Sequence, residues 1–182
     1  MGFTNIEIKA RTSRSDAIRS YLLANGAEFK GVDHQKDTYF VVSRGRLKLR
    51  EGNIENSLIY YQRSNQSGPK PSEFDMLQVT EGNILKELLS NALGIKVVVE
   101  KRREIYFIEN VKFHLDTLAS LGEFLEIEAS NKYAEVPIGK LQQQCEFYMK
   151  EFEVSKDDLI NLSYSDMLLK DSAGEPSGTL VT

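Results

Sequence analysis

The residues of this chain that could do chemistry recur at every second position. Glu7 and Lys9 form one such pair, and Lys48 and Arg50, Lys101 and Arg103, His114 and Asp116, and Glu126 and Glu128 follow. A β-strand turns successive side chains to opposite faces, so the two members of each pair share a face. Ile8, Leu49, Leu115 and Ile127 lie between members of these pairs and fall on the other face. Lys and Arg supply charge-assisted hydrogen bonds to phosphate oxygens. Glu and Asp supply the hard oxygen ligands that Mg²⁺ and Mn²⁺ prefer. The mixture suits a polyphosphate held by cations, with a divalent metal held by carboxylates. Glu126 and Glu128 share one face of one segment, and without a cation between them one carboxyl pKa rises.

The elements that would position these residues follow from pattern and punctuation. Strands are expected at Phe3–Arg11, Asp37–Val42, Arg46–Glu51, Leu58–Arg63, Glu73–Thr80, Lys96–Ile108, Val111–Leu118 and Glu123–Ala129. Ser13 offers an N-cap for a helix carrying Ala17, Ile18, Tyr21 and Leu22 and ending near Asn25-Gly26. Asn83–Leu93 is amphipathic and closes at Gly94. A third helix starts near Pro137 and runs to about Phe152, and a short helical tail includes Leu159–Leu169. Ser64–Ser72 is rich in Gly, Pro, Ser and Asn and reads as a loop, which places Lys70 either over a site or in solvent. Short turns join most strands, so the sheet should be largely antiparallel. The expected fold class is α+β, in one domain over residues 1–170, with 171–182 as a flexible C-terminal tail.

Composition narrows the function. The 182 residues are 41% hydrophobic and 27% charged, with net charge −4. Such a chain can bury a core, and its acidity argues against a nucleic-acid partner, since that affinity rests on phosphate neutralisation. No apolar run reaches membrane-spanning length and no signal-peptide pattern is present. The single Cys145 excludes an internal disulfide and reads as a small buried residue. A cytoplasmic setting is the default. Tyr39, Tyr60 and Tyr61 read as packing residues, and His114 reads equally as a phosphate contact or an ordinary hydrogen-bonded histidine.

Periodicity admits two arrangements. In one, the apolar faces form a conventional core and the ionic faces meet water. In the other, the strands close on themselves, the amphipathic helices cover the Ile/Leu faces outside, and the ionic faces line a wet interior.

An ordered series of motifs favours the second. Asn5-x-Glu7-x-Lys9, Asp37-x-Tyr39, Leu47-Lys48-Leu49-Arg50, Arg63 at the end of its strand, Gly68-Pro69-Lys70, Lys101-x-Arg103, Leu115-Asp116 and Leu121-Gly122-x-Phe124-x-Glu126-Ile127-Glu128 succeed one another. The series resembles the CYTH superfamily, the triphosphate tunnel metalloenzymes, over about Phe3–Leu169. Ser163–Leu169 is similar to a segment of its class IV adenylyl cyclase-like branch. The resemblance implies a closed eight-stranded antiparallel β-barrel with helices outside and a polar interior. It implies triphosphate binding by Lys9, Lys48, Arg50, Arg63, Lys101 and Arg103. Mg²⁺ or Mn²⁺ would be held by Glu7, Glu126 and Glu128, with Asp116 a further candidate. Catalysis would fall to Glu7, Lys9, Arg50, Glu126 and Glu128. The implied reaction is conversion of ATP to cyclic AMP and pyrophosphate. The alternatives are hydrolysis of thiamine triphosphate, inorganic tripolyphosphate or a nucleotide triphosphate, and non-catalytic binding of a nucleotide or polyphosphate. A homodimer is an assembly the resemblance admits. Two positions depart from the pattern. Asn5 replaces a Glu and brings no charge, and Lys48 replaces an Arg and loses its bidentate fork.

Overall fold

A computed structural model of the chain describes residues 3–63, 68–132 and 135–174. Eight strands are present: β1 (Phe3–Arg11), β2 (Glu28–Phe40), β3 (Arg46–Glu51), β4 (Ser57–Arg63), β5 (Lys70–Gln78), β6 (Ile95–Ile108), β7 (Val111–Leu118) and β8 (Gly122–Ser130). The helices are α1 (Ser15–Ala24), α2 (Gly82–Leu93), α3 (Ile138–Glu151) and α4 (Tyr164–Gly174). All strand pairs are antiparallel, in the order β1-β5-β4-β3-β2-β6-β7-β8, and β8 pairs with β1 so that the ring closes. Closure leaves no open sheet edge. It also forces the alternating faces of every strand into an inside and an outside.

The Ile/Leu faces of β1, β7 and β8 lie outside. Ile6, Ile8, Phe113, Leu115, Leu125 and Ile127 are buried there with Ile18 and Leu22 of α1 and Leu141 and Cys145 of α3. Each such side chain contributes about 1.5–3 kcal/mol on leaving water. Phe113 meets the Tyr148 and Phe152 rings edge-on, at centroid distances of 4.7 and 5.8 Å. A second apolar cluster joins Tyr39, Tyr61, Val99, Leu118 and Phe124 to Tyr164 and Met167 of α4.

Several local expectations change. The N-cap of α1 is Arg14, not Ser13, and the Arg14 N–H donates to Thr12 Oγ1 at 3.0 Å. Strand β2 begins nine residues before the expected Asp37. Its first half is polar and carries no alternation to read; pairing with β6 holds it extended, and the Asn53 side chain bonds its other edge at Val32 and His34. Lys70 is not a loop residue: it opens β5 opposite Glu7 and is 1% exposed. The apolar stripe of α2 is only partly covered, with Leu85 and Leu89 half-buried and Ile84 and Leu88 exposed. Helix α4 starts later than expected and runs through 171–174; residues 64–67 of the expected loop and 175–182 of the expected tail lie outside the described residues. Among the described residues no helix is long and apolar enough to cross a membrane.

Candidate functional site

The interior of the ring is a cavity of about 210 Å³, lined by seven cations and five carboxylates among the described residues. The strands place these charges by the alternation that put the apolar residues outside. Lys9 comes from β1, Lys48 and Arg50 from β3, Lys101 and Arg103 from β6, and Glu126 and Glu128 from β8. Glu7 lies opposite Glu128, and Lys9 opposite Glu126, in the β1–β8 register.

Three carboxylates organise the cations. Asp37 accepts from Arg50 Nε at 2.9 Å and Nη2 at 3.0 Å, from Lys48 Nζ at 3.0 Å and from Lys101 Nζ at 2.8 Å. Burial opposes ionisation of Asp37, but Arg50, Lys101 and Lys48 outweigh it and hold the carboxyl well below the usual range. Asp116 takes the guanidinium of Arg103 in a fork, Nε to Oδ1 at 2.6 Å and Nη2 to Oδ2 at 2.5 Å, and accepts Tyr164 Oη at 2.8 Å. Glu126 receives Lys9 Nζ at 2.9 Å, Arg103 Nη2 at 2.7 Å and His114 Nδ1 at 3.2 Å. Against the cost of its burial, Lys9 and Arg103 keep Glu126 ionised.

The neighbouring Glu128 behaves oppositely. Burial, with Glu126 and Glu7 nearby and only partly offset by Lys112, pushes its pKa up to about 7. Lys101 is pushed down to about 7, by burial first and by Arg50, Arg103 and Lys48, with Asp37 opposing. His114 is driven down to about 3 by burial, Arg103 and Lys112 and is therefore neutral near pH 7.

The donor set for a divalent ion can be judged from these positions. His114, Glu126 and Glu128 each offer one ligand atom, all within 4.8 Å of one another. Glu7 adjoins Glu128 across the strands. A set dominated by carboxylate oxygens fits Mg²⁺ or Mn²⁺. Asp116 stands apart from it, with both oxygens engaged by Arg103 and Tyr164. Asn5 lines the same cavity, buried, and its Oδ1 has no hydrogen-bond partner among the described residues.

Of the residues named from sequence, Glu7, Lys9, Lys48, Arg50, Lys101, Arg103, Glu126 and Glu128 meet in this one cavity. Arg63 ends β4, and its side chain lies outside the described residues. Four further residues take part. Lys112 shares a face with His114 and Asp116, so the period-two pattern carried its signal. Asp37 carried one too, two residues before Tyr39 on the same face. Glu55 sits in the turn between β3 and β4 and pairs with Arg50 Nη1 at 2.8 Å and with Lys112. Tyr164, at the start of α4, places its ring 3.3 Å from Lys9 Nζ. Turn and helix-end positions carry no periodicity, so neither Glu55 nor Tyr164 could be found by it.

A closed antiparallel ring with helices outside and an ionic interior of Lys, Arg and Glu defines the class of protein. The model of the CYTH domain family matches residues 4–161, and the chain belongs to that family. A relative from Methanocaldococcus jannaschii, named "Putative adenylate cyclase MJ0240", is 25% identical over 171 residues, covering 89% of this chain and 97% of that protein. The PH1012 protein of Pyrococcus horikoshii OT3 shares the fold with a TM-score of 0.72 and 24% identity, over 89% of this chain and 98% of that one. So does HpAC1 from Hippeastrum, described as a "Putative adenylyl cyclase" with "a dominant triphophatase activity". There the TM-score is 0.61 and the identity 15%, over 94% and 96% of the two chains.

Proposed function

We propose that this chain is a metal-dependent enzyme whose barrel forms a triphosphate tunnel, and that its reaction is adenylyl cyclase-like. The observation that carries this reading is the convergence of Lys9, Lys48, Arg50, Lys101 and Arg103 on one cavity that also presents Glu7, Glu126 and Glu128. The name of the archaeal relative agrees with it.

In this reading the cations hold the triphosphate oxygens, Arg50 and Arg103 through the N–H groups that their carboxylate partners leave open. Asp37 and Asp116 keep those cations extended into the cavity. Glu7, Glu126 and Glu128 hold Mg²⁺ or Mn²⁺, with His114 beside them. The ion, when bound, offsets charge on the phosphate oxygens and lowers the pKa of the attacking hydroxyl. The ribose 3′-hydroxyl oxygen forms a bond to the α-phosphorus, the bond to the bridging oxygen of the β-phosphate breaks, and pyrophosphate leaves in line. The hydroxyl proton passes to solvent water as that bond forms, so no dedicated protein base is required.

One observation favours a second reading, hydrolysis of the terminal phosphate of thiamine triphosphate, inorganic tripolyphosphate or a nucleotide triphosphate. In that reading Glu7 and Glu126 would hold the ion, and Glu128, left off it with its pKa at about 7, suits a proton acceptor for an attacking water. The dominant activity stated for HpAC1 points the same way. The test is incubation of the pure protein with ATP, thiamine triphosphate and tripolyphosphate, each with Mg²⁺ or Mn²⁺. Cyclic AMP with pyrophosphate is the expected product. Orthophosphate instead makes the chain a triphosphatase, and binding without turnover makes it a non-catalytic binder.

A further inference from the structure

Among the described residues, one carboxylate of the cavity comes from a turn rather than a strand. Glu7, Asp37, Glu126 and Glu128 project from β1, β2 and β8, whereas Glu55 belongs to the turn between β3 and β4. Its two oxygens join separate walls. Oε2 accepts Arg50 Nη1 of β3 at 2.8 Å and Gln35 Nε2 of β2 at 3.0 Å, and Oε1 accepts Lys112 Nζ of β7. Strand β6 lies between β2 and β7 in the ring, so the carboxylate spans walls that are not neighbours. Burial opposes its ionisation, but Lys112 and Arg50 outweigh that cost and hold it well below the usual range. Arg50 gives Nε and Nη2 to Asp37, so Nη1 is the nitrogen it turns elsewhere. The backbone beneath Glu55 is pinned: Asp33 accepts the N–H groups of Ile54 and Glu55, and the Asn56 side chain exchanges two hydrogen bonds with Gly52. The Glu55 side chain itself is not sealed. It is 24% exposed, against 2% for Asp37.

We infer that Lys112, Gln35 and the Nη1 edge of Arg50 form a further phosphate subsite, and that Glu55 is its built-in competitor, turning out into solvent as a phosphate group enters. The donors suit the ligand. An ammonium, an amide and a guanidinium edge converge on one oxyanion, and carboxylate and phosphate draw on the same donors. Two anions cannot share them at contact distance in a shielded interior without strong repulsion. Of the carboxylates lining the cavity, Glu55 is the one placed to yield. Asp37 is sealed and takes four hydrogen bonds from three cations. Glu7, Glu126 and Glu128 are the proposed ligands of the ion. Rotation of the Glu55 side chain on a fixed turn is enough to return its charge to water. Its three contacts are then lost, and that cost is subtracted from the affinity for the phosphate chain. The inference rests on the tunnel reading above for the phosphate chain itself, but Gln35, Glu55 and Lys112 are not among the residues that reading uses.

The test is calorimetric titration with tripolyphosphate of the wild-type chain, of Glu55→Gln, and of Glu55→Gln combined with Lys112→Gln. Ca²⁺ serves as the divalent ion, the ligand is checked for integrity afterwards, and a cooperative thermal transition shows that each variant is folded. Glu55→Gln keeps the size of the side chain and removes the competing charge. It should bind tripolyphosphate about tenfold or more tighter than wild type, and adding Lys112→Gln should forfeit about tenfold or more. A residue that merely held the cations in place would weaken binding when changed, so the sign of the effect separates the two roles. Should Glu55→Gln not fold, Glu55→Asp draws the charge back toward the turn by one methylene and should also bind more tightly. Weaker or unchanged binding in the Glu55 variant overturns the displacement, and an unchanged affinity on adding Lys112→Gln overturns the subsite; either leaves the rest of the tunnel standing. If neither the wild type nor the Glu55 variant binds tripolyphosphate, the tunnel reading falls and the inference with it.

Discussion

Glu126 is the residue on which most of the site converges, since it meets Lys9, Arg103 and His114 and belongs to the candidate metal group. Glu126→Gln keeps the shape but removes the charge. Arg103 retains its fork to Asp116, so the fold should hold, with a melting temperature within a few degrees of wild type. Metal-dependent turnover should drop by at least ~100-fold, as for loss of a principal electrostatic group. Turnover at the wild-type rate would take Glu126 out of the site. The adjacent Glu128 yields a prediction in pH. Its folded-state pKa of about 7 lies above the ordinary value of 4.5, so between these values the folded chain binds the extra proton. The resulting stabilisation is complete below about pH 4.5 and is lost as pH rises through 7, an effect on the order of 3 kcal/mol. Thermal unfolding of the metal-free chain from pH 5 to 8 should show wild type losing ground to Glu128→Gln as pH rises; parallel curves would contradict this. If Glu128 holds the ion as proposed, a divalent ion would displace the same proton, and its binding should tighten over the same range.

At the scale of elements, the turn between β3 and β4 turns inward rather than away from the barrel. Asp33 of β2 holds it, accepting the Ile54 N–H at 2.9 Å and the Glu55 N–H at 3.0 Å, with Gln35 Nε2 at 2.8 Å. This is what delivers Glu55 to Arg50 and Lys112. The approach requires glycine at position 52, where an added Cβ would lie 2.5 Å from an Asp33 oxygen. Gly52→Ala should therefore displace the turn and destabilise the chain by about 1–3 kcal/mol, read as a lowered urea midpoint. An unchanged midpoint would mean that Asp33 does not anchor the turn. Such a device leaves almost no trace in sequence, because it depends on contacts between residues about twenty apart with no repeating pattern. The contrast with β3 and β7 is instructive. Their bounds were readable to the residue because apolar and polar positions alternate over residues 46–50 and 111–116. The first half of β2 was not, because Glu28–Lys36 carries no such alternation. The stripe of α2 was legible as amphipathic, yet Ile84 and Leu88 remain exposed, since a hydrophobic pattern records which face can be buried and not how much surface lies beneath it. Within the site, period two located the residues of β1, β3, β6 and β8, while Glu55 and Tyr164 arrive from a turn and a helix end.

For the whole molecule the decisive quantity is the charge balance of the interior. The seven cations of the cavity face five carboxylates, and Asp116 behind Arg103 supplies a sixth. Nearly every cation near the centre is already paired: Lys9 with Glu126, Lys101 and Arg50 with Asp37, Lys112 with Glu55. A tetra-anionic triphosphate entering such a lumen must share these cations with buried carboxylates, and like charges at close range in a shielded interior repel strongly. In the proposed metal site, a divalent ion held by Glu7, Glu126 and Glu128 would offset that repulsion and offer the phosphate oxygens a further cation to coordinate. The ion and the triphosphate should thus bind as a coupled pair, each raising the affinity of the other by the same factor. In calorimetry, tripolyphosphate affinity at saturating Mg²⁺ should exceed that in a chelator by at least ~10-fold, and the melting temperature should rise more with both ligands than with the separate effects combined. In Glu126→Gln the coupling should shrink while affinity in the chelator holds or improves, because the substitution removes one of the competing anions. Equal affinity with and without Mg²⁺ would mean that the cations alone suffice and that the carboxylates serve only to hold them in place.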